Sequence, residues 1–233
     1  MATTLGTRAS VRIDDGLVVP AEVGELAAFR CWTMSDDFPD TGRIDYLEGT
    51  IEVDMSPEDL QTHGTLKGRL HGYVDRVVSD ANLGQVFVDR ARLSCPGVGL
   101  SCEPDILFVS LEALKAGRVR YVPSSQARPR RLMEVEGAAD LVVEVVSDSS
   151  VGKDRVRLPP LYARAGVLEL WVADGRGAEL TFQIFHLEGT AYQPAPADGD
   201  GFQRSRVLGR RIRLRREPWE LPDTWRYFVD EGP

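Results

Sequence analysis

Two carboxylates stand in company that demands an explanation. Asp105 follows Pro104 in EPDILFVS, and Glu144 sits among valines in LVVEVVSDSS. Segments this rich in β-branched residues read as strands, the second as a strand buried on both faces. A buried, unpaired carboxylate costs several kcal/mol, so Glu144 requires a cation, a metal or dense hydrogen bonding. If the two strands are neighbours, the two acids can share one divalent cation, Mg²⁺ or Mn²⁺. Such an ion polarises a phosphodiester and acidifies an attacking water. Strand-end capping, or pairing of Glu144 with an arginine in a small-ligand α/β domain, explains the same acids.

The elements around them follow from periodicity. Residues 23–32 (VGELAAFRCW) have helical spacing, and RIDYLEGTIEVDMS (43–56) alternates as a hairpin about Glu48-Gly49. Ser56 as N-cap, Pro57 at the first position and acids after it predict a helix running to about Asn82. Its apolar stripe is Leu60, Leu66, Leu70, Tyr73, Val74, Val77 and Val78. Residues 84–95 read as one strand, 103–110 as a buried strand, 111–117 as a short helix and 118–137 as an excursion outside the core. After LVVEVVSDSS, residues 151–167 read as largely helical, with a break or a new start near Pro159-Pro160. Strands at 168–174 and 178–189 and an arginine-rich strand complete a mixed α/β (α+β) sheet.

The 233 residues, 42% hydrophobic and 27% charged, suit a single domain over 21–225, with a flexible arm at 1–20 and a tail at 226–233. The N-terminus lacks a signal peptide's basic and apolar regions, and no apolar run is long enough to span a membrane. A cytoplasmic protein is expected. Cys31, Cys95 and Cys102 form no CxxC pair and read as free thiols. A net charge of −8 excludes a nonspecific nucleic-acid coat, yet seven arginines crowd Arg204 to Arg216. Arg204, Arg206, Arg211 and Arg213 are therefore candidate DNA-binding residues. A solvated strand face, with Arg211, Arg213 and Arg215 alternating with Ile212 and Leu214, is the competing reading.

The order of these motifs resembles the Uma-type restriction-endonuclease family, which has the PD-(D/E)XK nuclease fold. The resemblance covers about Arg43 to Trp219. It rests on Pro104-Asp105, on Glu144 to Ser147, and on Tyr162 to Asp174 with its Gly-Val turn and aromatic strand ending in aspartate. It implies a Mg²⁺- or Mn²⁺-dependent DNA endonuclease, with Asp105, Glu144 and the carbonyl of Val145 as metal ligands. It further implies Asp45, with Glu48 second, as an auxiliary acid, and His63 near the phosphate or water. A homodimer is expected by fold analogy.

One part of the family pattern is missing. The motif lysine would lie two residues after Glu144, where Val146 stands, or four before Tyr162, where Leu158 stands. A lysine there orients water and stabilises developing negative charge, which neither side chain can do. Lys153, Arg155 and Arg157 are near enough to substitute. Lys153 is the best of them, since arginine stays protonated and transfers protons poorly. The alternative is a catalytically silent relative that binds nucleic acid or protein through the same cleft.

Overall fold

The computed structural model describes residues 11–12, 18–124 and 131–233. Most of the predicted arm, and the middle of the predicted 118–137 excursion, lie outside the described residues. The strands are β1 (Val11–Arg12), β2 (Val18–Val19), β3 (Arg43–Leu47), β4 (Thr50–Asp54), β5 (Gly84–Val88), β6 (Arg92–Cys95), β7 (Leu100–Cys102), β8 (Ile106–Ser110) and β9 (Val119–Pro123). They continue with β10 (Leu132–Gly137), β11 (Leu141–Val145), β12 (Glu169–Asp174), β13 (Thr181–Glu188), β14 (Ala191–Pro194), β15 (Gln203–Ser205), β16 (Arg210–Pro218) and β17 (Trp225–Gly232). The α-helices are α1 (Leu26–Thr33), α2 (Leu66–Asp80), α3 (Leu111–Lys115) and α4 (Leu158–Ala165). Two π turns, Leu60–Thr65 and Lys153–Arg157, lead directly into α2 and α4.

Two six-stranded mixed sheets, ordered β4-β3-β7-β6-β10-β9 and β14-β13-β12-β11-β8-β5, form the body. β11 runs parallel to β12 and antiparallel to β8, and all five of its residues are buried. Leu141, Val143 and Val145 face a core shared with α2 and β16–β17. Val142 faces a second core shared with α4 and the other sheet. Period-two geometry puts Glu144 on the Val142 side, inside the molecule.

Several sequence expectations are corrected. The 84–95 strand is two strands in different sheets, because Asp89 and Arg90 both adopt left-handed φ (48° and 51°) and turn the chain between them. Residues 119–123 and 132–137 are paired strands with Val119 and Val135 in the core, so the ends of the predicted excursion are structural. The long helix is capped by Asp59, whose carboxylate accepts the Gln61 and Thr62 amides, and Ser56 lies outside it. Pro159 and Pro160 occupy the first turn of α4, which starts afresh at Leu158 after a π turn, so of the two expectations the new start holds and the break does not. The arginine-rich strand belongs to a separate sheet, β15-β16-β17, and most of the predicted tail is β17, paired along its length with β16.

Candidate active site

The ladder between β8 and β11 ends at Val143↔Ile106, which leaves the Val145 N–H without a strand partner. Asp105, just before β8, fills the gap: its Oδ2 accepts that N–H at 2.7 Å. Its Oδ1 accepts a hydrogen bond from Arg43 Nη2 at 2.8 Å, and His63 Nε2 stands 3.5 Å from Oδ2. Asp105 has no exposed surface. Burial alone would raise its pKa, but the His63 contact and the Arg43 charge outweigh it and hold the carboxyl well below the usual range.

Glu144 is also buried, at 1% exposure, yet its surroundings differ. Oε1 accepts the Tyr162 hydroxyl at 2.6 Å, and Oε2 has no hydrogen-bond partner among the described residues. Burial, followed by repulsion from Asp154 and Asp105, pushes its pKa well above the ordinary value. Asp154 is raised to about 6, chiefly by burial. Among the described residues no arginine pairs with Glu144 directly, and its hydrogen-bond partner is Tyr162, which does not favour the small-ligand reading.

The hairpin contributes Arg43 and Asp45 from one face of β3, while Ile44 and Tyr46 on the other pack against α1. Asp45 Oδ1 accepts the Glu103 amide at 3.0 Å, and Oδ2 accepts Lys153 Nζ at 2.9 Å. Lys153 is 5% exposed. Burial would lower its pKa, but Asp45 more than reverses this, so the ammonium is held charged. Glu144 also attracts it. Lys153 is therefore brought among the acids by its π turn, a feature that recurs at functional sites. Leu158 is buried in the apolar cluster with Leu107, Val142 and Leu161.

The other predicted residues divide clearly. His63, 3% exposed on the first π turn, belongs to the site. Glu48 does not: it sits in the hairpin turn, half exposed, paired with Arg164 at 2.6 Å. Arg155 pairs with Asp174, whereas Arg157 pairs with Glu52 at the rim of a cavity of about 680 Å³ that also reaches Asp45 and Lys153. Val145 presents its N–H to Asp105. Arg204 and Arg206 lie beside Glu169 at the start of β12, whereas Glu144 pairs with Val172 toward its end. At about 3.3 Å per residue, that is on the order of 10 Å along the sheet. Arg206, Arg211 and Arg213 are also paired, with Glu188, Asp198 and Asp230. The structure does not bring these arginines into the site.

Arg43, Glu58 and Lys67 were not identified from sequence. Arg43 and Asp45 share a strand face, the one signal that pointed to the arginine. Lys67 bridges Glu58 (2.8 Å) and Asp89 (2.6 Å), a contact between segments far apart in sequence. Among the described residues, Glu58, His63 and Asp105 place ligand atoms within 4.8 Å of one another, a possible metal-binding cluster that does not include Glu144.

Parallel β11–β12 pairing, antiparallel flanking strands and acids at the strand ends define a restriction-endonuclease-like α/β protein. Residues 26–216 match the model of the Uma2 family, described as "Putative restriction endonuclease", and the chain belongs to that family. The crystal structure of a "putative nuclease" from Anabaena variabilis ATCC 29413 has the same fold, with a TM-score of 0.54 and 14% identity. The match covers 71% of this chain and 83% of that one. No curated protein matches the chain. Among the described residues, no helix is long and apolar enough to cross a membrane.

Proposed function

We propose that the protein is a metal-dependent DNA endonuclease that hydrolyses phosphodiesters, with Asp105 and Glu144 as ligands for Mg²⁺ or Mn²⁺ and Lys153 in the role of the absent motif lysine. The observation that carries this reading is the buried Lys153 ammonium, fixed by Asp45 at the cavity that both residues line. The donor set fits a hard divalent cation, because Glu144 Oε2 is a buried oxygen with no hydrogen-bond partner among the described residues. When bound, the ion would polarise the phosphate and acidify water.

The chain's own residues supply the remainder. Asp105 is held ionised and oriented by Arg43 and the Val145 N–H. Tyr162 fixes the rotation of Glu144 through Oε1 and leaves Oε2 available. Asp45 holds the Lys153 ammonium charged, so that it can orient water and stabilise the negative charge that develops on phosphate oxygens. Two copies acting together would cut both strands of a duplex.

The test is nicking of supercoiled plasmid with Mg²⁺ or Mn²⁺ by the wild type, Glu144→Ala and Lys153→Met. Cleavage by the wild type alone supports the proposal. A silent wild type that gains cleavage with Leu158→Lys would instead favour the inactive-relative reading.

A further inference from the structure

We propose that Glu58, His63 and Asp105 form a binding site for a divalent transition-metal ion, of the Co²⁺, Ni²⁺ or Zn²⁺ class, distinct from the Asp105–Glu144 pair but sharing Asp105 with it. This goes beyond the nuclease reading and does not depend on it, because it concerns an ion that imidazole selects.

Geometry is the first support. The three ligand atoms lie within 4.8 Å of one another. Two ligands on opposite sides of one ion at about 2.0–2.2 Å each stand up to about 4.4 Å apart, so small side-chain movements close the set. His63 is the second, independent support. Its side chain is 3% exposed, yet Nδ1 has no hydrogen-bond partner among the described residues; Glu58 Oε2 is 3.3 Å away, and Nε2 is 3.5 Å from Asp105 Oδ2. A buried imidazole whose Nδ1 is left without a hydrogen bond is poorly satisfied by protein alone.

Access also fits, and the cations an ion would have to share the acids with are Arg43, 2.8 Å from Asp105 and 4.0 Å from Glu58, and Lys67. A cavity of about 320 Å³ opens onto Glu58, His63, Lys67 and Arg43. Lys67 now neutralises Glu58, but it also holds Asp89 at 2.6 Å and stays anchored when Glu58 turns toward an ion. Glu58, whose side chain is 47% exposed, has the freedom to do so. Imidazole nitrogen favours the later first-row ions over Mg²⁺, whereas a pair of carboxylates suits Mg²⁺.

Calorimetric titration of the tag-free full chain with Co²⁺ and with Mg²⁺, combined with the visible absorption of bound Co²⁺, tests the proposal. The wild type is expected to take up Co²⁺ with an absorption band. His63→Gln and Glu58→Gln are each expected to weaken Co²⁺ binding at least about tenfold and to alter the band. Glu144→Gln should leave the band in place. Glu58 is half exposed, so its substitution preserves the fold even where that of His63 does not. Equal Co²⁺ affinity in the wild type and Glu58→Gln, or wild-type affinity for Co²⁺ no higher than for Mg²⁺, would overturn the proposal. Absence of plasmid cleavage would sink the nuclease reading and leave this result untouched.

Discussion

Replacing Lys153 with methionine while Asp45 remains should be severely damaging, and the reason can be separated into fold and chemistry. Nζ lies 2.9 Å from Asp45 Oδ2, and the two side chains are 6% and 2% exposed. With an effective dielectric constant of about 20, the gross attraction at this distance is about 6 kcal/mol. Removing one partner of such a pair costs about 3–5 kcal/mol, because the other is left buried without its counter-charge, and Asp45 then keeps the Glu103 amide as its hydrogen-bond donor. That is a large share of the roughly 5–15 kcal/mol by which domains are stable. The double variant Asp45→Asn/Lys153→Met carries no buried charge at this point, and it should recover about 2–3 kcal/mol of the loss in urea unfolding. Plasmid nicking should not recover with it. Loss of the ammonium costs about a hundredfold or more in rate, whatever the stability. A double variant no more stable than Lys153→Met would refute the buried-pair argument, and one that cleaves like the wild type would remove Lys153 from the chemistry.

Glu144→Gln should stabilise the metal-free protein more at pH 8 than at pH 5. The folded pKa of Glu144 lies above its unfolded value, so its stabilising contribution is complete below about pH 4.3 and is lost as pH rises toward the folded value. Thermal melts of both proteins at the two pH values check the sign; Asp105, shifted downward, acts oppositely and only in acid. Divalent-ion uptake at the Asp105–Glu144 pair should release protons and strengthen with pH, which calorimetry in buffers of different ionisation enthalpy measures. Alanine at Arg206, Arg211 or Arg213 should change DNA affinity and its salt dependence little, since each guanidinium is paired with an acid away from the site. A loss of one unit of salt slope per arginine would contradict this. Asp59→Ala should cost about 1 kcal/mol in chemical unfolding, because it leaves the Gln61 and Thr62 amides uncapped.

The parts of the site that could be read in advance were those tied to local pattern. A carboxylate inside LVVEVV is anomalous wherever that strand lies, and Pro104-Asp105 and the RIDYLEG alternation carry similar information within a few residues. His63 and Lys153 were also accessible as candidates, although the π turns that aim them were not, since a π turn differs from an α turn by one residue and leaves the composition unchanged. The arginine-rich strand shows the opposite case. Its charge is conspicuous in sequence, but the acids that neutralise it come from separate segments, among them Asp198, Asp230 and Glu188.

By itself, the sequence determined the strand and helix inventory near the acids, because hydrophobic period and capping are properties of neighbouring residues. It also determined that Glu144 needs a partner, because desolvation of a carboxylate is costly in any fold. Tertiary structure alone decided who the neighbours are. Arg43 on Asp105, Asp45 on Lys153, Tyr162 on Glu144 and Glu58 beside His63 join residues as few as five and as many as 108 positions apart. Electrostatic interaction depends on distance in space and on burial, and neither is encoded in the spacing of residues along the chain.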